Sequence, residues 1–142
     1  MAETHEANVI LRDGMHFEGF AGDEFAIQLD AKPDVGGQGK GSPPQKLLLV
    51  SLAGCSGMDV ISILRKKRQD VTGLEVKVRA ERADDHPRVY THIWLTFVVT
   101  GKDVAPEAVE RSIELSMTRY CPIAGLLMDV VPIETDYKII EG

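Results

Sequence analysis

The sequence predicts an α+β domain in which antiparallel sheet packs against long helices. Three observations lead to this prediction: an apolar stretch in the centre of the chain, alternating apolar and polar residues on both sides of it, and a later stretch with helical periodicity. The predicted order of elements is βββ-α-ββ-α-α-β. No repeat or break in composition divides them, so we expect a single domain over residues 1–142.

The N-terminal residues are predicted to form a three-stranded antiparallel meander. Residues 8–11 and 15–20 flank Asp13-Gly14, a dipeptide typical of two-residue hairpin turns. A second turn leads into residues 25–29, which alternate as a half-buried strand does. These patterns place one small sheet ahead of the central apolar stretch.

A glycine-rich segment, residues 31–41, follows the meander and is predicted to be a loop. Asp34 stands where a phosphate-binding loop needs glycine, and Ser42 stands where the dinucleotide-binding pattern needs its third glycine. We therefore expect no bound nucleotide.

The central stretch, residues 42–68, is predicted to be one helix. It opens with Ser42 and two prolines and closes with four cations, which suit the two ends of a helix dipole. Residues 47–55 are apolar on nearly every side, so we expect the rest of the protein to enclose the helix. We also expect it to be too short and too polar to cross a membrane. Gly54 and Gly57 suggest that another backbone packs closely beside them.

The remaining residues predict a hairpin and two further helices. Alternation predicts strands over residues 74–81 and 88–100, and a last strand over residues 131–140. Between them a helix capped near Asp103 is expected to end close to Tyr120, with one apolar stripe formed by Val109, Ile113 and Met117.

Cys121 precedes Pro122, and proline is welcome at the first position of a helix. Cys121 is therefore predicted to cap a short helix that runs to about Asp129. A thiol at a helix N-terminus favours the thiolate, so by local physics Cys121 is the more acidic of the two cysteines.

Cys55 lies in the middle of the apolar helix. The sequence of this helix, taken alone, favours a small core residue at this position, because free cysteine is among the most buried residue types. Its face also carries Ser51, Asp59 and Ser62, which would need polar partners if they are buried. A reactive Cys55 would require a nearby cation. Whether Cys55 and Cys121 meet depends on how their helices pack, which spacing does not decide.

Composition excludes several classes of function. There are 22 acidic and 16 basic residues, and the net charge of −6 argues against nucleic acid or an anionic membrane as a partner. We expect a cytoplasmic protein, because no secretory segment follows Met1. A metal site is not expected, because there is no C-x-x-C spacing and no grouping of histidines near either cysteine.

Three segments resemble the OsmC/Ohr family of thiol peroxidases. They are residues 36–44 (GGQGKGSPP), residues 47–60 (LLLVSLAGCSGMDV) and residues 120–122 (YCP). The resemblance implies an OsmC-like fold in which sheets wrap around long central helices in an intertwined homodimer. It also implies an active site at the subunit interface, a peroxide substrate and an external dithiol reductant, with no cofactor.

The resemblance also implies roles for individual residues. Cys55 matches the attacking cysteine of the family and Cys121 matches its resolving cysteine. Arg12 matches the place of the arginine that activates the attacking thiol. The glutamate that holds this arginine is missing, because Gln45 and Lys46 occupy the positions that could present it.

Apolar residues around Cys55 are predicted to favour organic hydroperoxides over hydrogen peroxide, because burying an alkyl tail is favourable. The expected lining residues are Leu52, Met58, Met117 and Tyr120, with Gln45 and Lys46 beside them. The alternative is a non-catalytic OsmC-like protein that binds a small apolar ligand at the dimer interface and whose two thiols are structural.

Overall fold

The computed structural model of the protein describes residues 2–142. Contacts divide the chain into two compact units, of which the first ends at Leu48 and the second begins at Leu49. The boundary falls inside helix α1, Pro44–Lys66, and each unit is described by itself. The predicted α+β class and the predicted order of strands and helices are both confirmed. A single domain over residues 1–142 stays a prediction.

The first unit contains the predicted antiparallel meander. Its strands are β1 (Asn8–Asp13), β2 (His16–Phe20) and β3 (Ile27–Leu29), paired in the order β1-β2-β3. Strand β3 is shorter than predicted, because the segment from residue 25 joins the sheet only at Ile27. A 3₁₀ turn, Pro33–Val35, lies in the loop that follows.

The first hairpin turn lies one residue later than predicted. Asp13 pairs with His16, which leaves Gly14 and Met15 as the two turn residues in place of Asp13 and Gly14. Gly14 has a φ of +55°, at the first central position of the turn. Type II′ turns place glycine there, whereas the prediction assumed a turn with glycine second.

The predicted glycine-rich loop is organised by Asp30. Its buried carboxylate accepts hydrogen bonds from the backbone N–H groups of Ala31 at 2.7 Å, Lys40 at 3.0 Å and Gln38 at 3.3 Å. Burial acts to raise the pKa of Asp30, but these N–H groups outweigh it and the pKa lies below its usual value. Gly37 is required here, because a Cβ would lie 1.8 Å from the Ala31 carbonyl oxygen.

The second unit contains a mixed sheet. Its strands are β4 (Asp70–Arg82), β5 (Tyr90–Lys102) and β6 (Ile133–Glu141), paired in the order β4-β5-β6. Strands β4 and β5 form the predicted antiparallel hairpin, but β6 pairs parallel to β5. The helices between β5 and β6 return the chain to the end where β5 began, and a crossover of this kind produces parallel pairing.

Helix α2 (Pro106–Leu115) begins after Ala105, which occupies the cap position predicted for Asp103 or its neighbour. Asp103 instead has a φ of +49° in the turn before the helix. The predicted stripe of α2 is confirmed, because the structure buries all of its residues: Val109, Ile113 and Met117.

Helix α1 begins at Pro44 and ends at Lys66, two residues inside the predicted range at each end. It buries one stripe, formed by Leu52, Ser56, Val60 and Leu64. The expectation that the surrounding chain encloses the helix is wrong for a single chain, because Val50 is 63% exposed and Met58 is 73% exposed. The prediction that another backbone packs beside Gly54 and Gly57 is wrong, because the neighbour of Gly57 is the side chain of Val76 and a Cβ on Gly54 would meet open space.

By length and composition α1 could cross a membrane. Its most apolar window has a mean hydropathy of 2.0, so the expectation that it is too short and too polar is wrong. The core helix of a soluble protein passes the same test. Leu52, Val60 and Leu64 of α1 belong to one hydrophobic core with the buried residues of β5, as the residues of such a core helix do.

Candidate active site

Two helices bring both cysteines together with one carboxylate. Cys55 and Asp59 stand four residues apart on α1 and therefore share one face of that helix. Cys121 is the N-cap of helix α3 (Pro122–Leu127), as predicted. The two Sγ atoms and one carboxylate oxygen of Asp59 lie within 4.8 Å of one another. Packing in the second unit therefore creates a cluster that spacing along the chain does not reveal.

Cys121 is not the acidic thiol that its cap position predicted. It is buried, with 4% of its surface exposed, and both cysteines are free thiols. Burial raises the pKa of Cys121 to about 11, because it outweighs the N–H group of Ala124, which acts to lower this pKa, and the neighbouring Cys55 thiol acts in the same direction as burial. That N–H donates to the Cys121 sulfur at 3.4 Å. Desolvation outweighs the helix N-terminus at this position.

A short chain of hydroxyl groups holds Asp59. Ser116 Oγ donates to Asp59 Oδ2 at 2.9 Å and lies 2.9 Å from Ser56 Oγ. Because Ser116 has one hydroxyl hydrogen and gives it to Asp59, the Ser56 hydroxyl donates to Ser116. Both serines are fully buried, and the two bonds orient the carboxylate toward the thiols. Asp59 was identified from the sequence, but both serines were missed, because their only signal is a polar residue on an apolar helix face.

We expect Ser116→Ala to lower the free energy of unfolding by about 1–3 kcal/mol, because it leaves the buried Ser56 hydroxyl and one oxygen of Asp59 without their partner. Ser112→Ala is the matched control. Ser112 is equally buried in α2, four residues before Ser116, and its hydroxyl donates to the Ala108 carbonyl four residues earlier. Urea unfolding of both variants at one protein concentration measures the difference. Equal losses would mean that the hydroxyl chain contributes no more than the single buried hydrogen bond of Ser112.

A π-helical segment, Ser116–Tyr120, joins α2 to Cys121. The N–H of Cys121 donates to the Ser116 carbonyl at 2.8 Å, so the bond spans five residues in place of the usual four. Segments of this kind are frequent at functional sites. Here one end of the segment supplies the serine that holds Asp59, and the other end leads directly into the thiol.

The four apolar residues predicted around Cys55 differ widely in exposure. Leu52 and Met117 are buried in the core, whereas Met58 and Tyr120 are 73% and 51% exposed. Met117 also borders an open groove of about 490 Å³ between α2 and β6, with Ile113 and Tyr137 among its lining residues. The role of these residues in holding an alkyl tail stays a prediction.

Arg12 lies at an irregularity in the pairing of β1 with β2, where a bulge re-aims a side chain. Its Nε donates to Glu18 Oε1 at 2.6 Å, and Gln28 donates to the other oxygen of Glu18 at 2.9 Å. The hydrogen bonds from Gln28 and Arg12 hold the pKa of Glu18 below its usual value. A carboxylate that holds Arg12 was expected at the start of α1, and Glu18 on the adjacent strand β2 was missed.

Gln45 and Lys46 both lie in the first turn of α1, where the predicted helix placed them. Gln45 is half-buried and Lys46 is exposed. A contribution of either residue to the site stays a prediction.

Comparison with known proteins identifies the family. A protein-family model described as OsmC-like protein matches residues 37–136, which include α1, both cysteines and most of the second unit. The chain belongs to the OsmC-like family. The resemblance noted in the sequence is thereby confirmed.

Similar proteins and solved structures match nearly the whole chain. The Escherichia coli K12 protein named YhfA is 39% identical over 136 residues, which cover 95% of this chain and 98% of YhfA. The crystal structure of a hypothetical protein from Aquifex aeolicus VF5 superposes with a TM-score of 0.87 at 28% identity, with 99% of each chain covered. The organic hydroperoxide resistance protein OhrB of Bacillus subtilis shares the fold, with a TM-score of 0.63, 18% identity and coverage of 96% of this chain and 98% of OhrB.

Proposed function

We propose that this protein is a two-cysteine peroxidase that reduces organic hydroperoxides. The observation that carries the proposal is the meeting of two free thiols, Cys55 and Cys121, within 4.8 Å of each other. Cys55 is half-buried, so a small oxidant can approach it, whereas Cys121 lies behind it in the core. This arrangement suits attack by the first thiol and resolution by the second.

In the first step the Cys55 thiolate attacks the distal oxygen of the hydroperoxide. The O–O bond breaks, the alkoxide leaves and takes a proton to become an alcohol, and Cys55 becomes a sulfenic acid. In the second step the Cys121 sulfur attacks the Cys55 sulfur, which forms a disulfide and releases water. An external dithiol then reduces the disulfide and returns both thiols.

Activation of Cys55 requires a positive charge, and we assign this role to Arg12, with Lys46 as the second candidate. The hydrogen bond from Arg12 to Glu18 supports this assignment. Because Glu18 already fixes the Arg12 guanidinium, the side chain loses less conformational freedom when it pairs with a thiolate. Glu18 thus replaces the glutamate that the sequence lacks at Gln45 and Lys46.

The substrate is an organic hydroperoxide in preference to hydrogen peroxide. Burying an alkyl tail contributes about 25 cal/mol per Å², from which hydrogen peroxide gains almost nothing. Met58 and Tyr120, the exposed apolar residues near the two cysteines in sequence, are proposed to contact the tail. The name of the Bacillus subtilis relative, an organic hydroperoxide resistance protein, supports this class of substrate.

We further propose that the protein acts as a cytoplasmic homodimer. Exposed apolar side chains on α1 and around α3 support a dimer, because Val50, Met58, Leu126 and Val130 are all more than 60% exposed in one chain. A partner subunit that covers α1 would also provide the enclosure that its composition predicts. The acidic net charge of −6 argues against a nucleic-acid partner.

The proposal predicts that one equivalent of cumene hydroperoxide converts the reduced protein into a Cys55–Cys121 disulfide. Closure should accelerate about tenfold per pH unit between pH 7 and 9, because Cys121, with a pKa of about 11, is almost wholly protonated there and its thiolate fraction rises in that proportion. Acid quenching, alkylation and mass spectrometry measure the disulfide at each time point.

Cys121→Ser is the control, and in this variant the reaction should stop at a Cys55 sulfenic acid that dimedone traps. Two unreacted thiols after excess cumene hydroperoxide would contradict the peroxidase. That result would favour the alternative of an apolar-ligand protein with structural thiols.

A further inference from the structure

The cluster of Cys55, Asp59 and Cys121 has the composition of a metal site. Two cysteine sulfurs and one carboxylate oxygen converge within 4.8 Å. Ligand atoms on a tetrahedral zinc ion with this ligand set are roughly 3.6–3.8 Å apart, given Zn–S and Zn–O bonds of about 2.3 and 2.1 Å. Side-chain movements of roughly 1 Å would therefore bring all three atoms into bonding distance.

Asp59 is the residue that the peroxidase reaction leaves unused. Two thiolates and a carboxylate within 4.8 Å of one another would be three like charges that repel one another. A divalent cation at the centre of the three groups removes this conflict, because it compensates the carboxylate and both thiolates together. We propose that Cys55, Asp59 and Cys121 of the reduced protein bind a zinc ion.

The surrounding structure supports three protein ligands. Cys55 and Asp59 lie four residues apart on one helix, the spacing at which two helical ligands reach the same metal. The Ser116 hydroxyl fixes one oxygen of Asp59 and the Ser56 hydroxyl supports Ser116, which is the outer-shell arrangement that orients a carboxylate ligand.

Three protein ligands leave the fourth position of a tetrahedral zinc ion for water or a small ligand. Thiolate ligands favour zinc over magnesium or calcium, which prefer oxygen. The expectation from sequence that no metal binds was based on histidine grouping and C-x-x-C spacing. A carboxylate one helical turn after a cysteine belongs to neither pattern.

Zinc binding is tested on the full-length, reduced, chelator-treated protein, with a chromogenic chelator competing for the added Zn²⁺. We expect one zinc ion per chain. Loss of an outer-shell group typically weakens metal binding by roughly 10- to 100-fold. Asp59→Asn replaces a direct ligand, so we expect it to weaken zinc binding by at least this factor. Asparagine still accepts the Ser116 hydrogen bond, so this variant keeps the hydroxyl chain.

Asp129→Asn is the matched control, since it makes the same substitution at an exposed residue near the end of α3 and should bind like the wild type. Replacing Zn²⁺ with Co²⁺ gives a second readout, because sulfur-to-cobalt charge-transfer absorption appears only if thiolates coordinate the metal. Cys121→Ser should weaken that absorption.

Equal zinc affinity in the wild type, Asp59→Asn and Cys121→Ser would overturn the proposal, and so would the absence of zinc binding by the reduced wild type. The measurement uses no peroxide. Failure of the peroxidase function and failure of the zinc site are therefore separate results.

Discussion

Cys55→Ser should lower the turnover of cumene hydroperoxide with dithiothreitol by roughly 10³-fold or more, to the rate of the uncatalysed reaction. A serine hydroxyl is a weak nucleophile at neutral pH, and removal of an attacking group commonly costs this much or more. Cys55 is half-buried and the substitution is nearly isosteric, so we expect the fold to persist. Hydroperoxide consumption and the circular dichroism spectrum check both parts of the expectation.

Cys121→Ser is the informative companion variant, since it should allow the first oxidation of Cys55 but slow repeated turnover. Arg12→Ala and Lys46→Ala extend the comparison to the proposed activating charge. In a Cys121→Ser background, loss of the activating residue should slow alkylation of Cys55 at pH 7. Unchanged turnover in Cys55→Ser would refute the proposed peroxidase function. An unchanged alkylation rate in both Arg12→Ala and Lys46→Ala would exclude only these two residues as the activating charge.

Met58→Glu should convert the protein from a dimer into a monomer. Met58 is 73% exposed in one chain, so a carboxylate there costs the isolated chain little. In the proposed dimer the same carboxylate would be buried without a partner, at a cost of several kcal/mol. Light scattering at low micromolar concentration should give about twice 15.6 kDa for the wild type and 15.6 kDa for the variant.

Val89→Glu serves as the control for Met58→Glu. Val89 is 53% exposed in the turn between β4 and β5, outside the proposed helix interface, and its variant should remain dimeric. A wild-type protein that is monomeric under these conditions would contradict the proposed dimer and the proposed site at its interface. A dimeric Met58→Glu variant would place the interface on another face of the molecule.

Local patterns in the sequence predicted most of the elements of this fold. Period-2 alternation identified β4 and β5, and proline positions identified the starts of α2 and α3. The parallel pairing of β6 was missed, because alternation describes which face of a strand is buried and contains no information about strand direction. The first turn was misplaced by one residue because Gly14 fits two turns. It can be the second central residue of a type I′ turn, as predicted, or the first central residue of a type II′ turn, as observed.

The candidate site was predicted less completely, because it depends on distance through space. The acidity of Cys121 was misjudged because the cap position is visible in the sequence, whereas the burial that raises its pKa is not. Ser116 and Glu18 were missed for the same reason. Each acts on a residue that was identified, Asp59 in one unit and Arg12 in the other, from a neighbouring element.

The π-helical segment Ser116–Tyr120 holds one residue more than an α-helical turn closed by the same hydrogen bond. In an α-helix each further residue adds a rotation of about 100° and an advance of about 1.5 Å. The wider turn takes up its extra residue locally, because the N–H of Cys121 still bonds to the Ser116 carbonyl. A homologous chain with one residue fewer in this segment could close the same turn as an α-helix and keep its thiol in place, whereas a deletion within the regular turns of α2 would direct the thiol to another side of the helix axis.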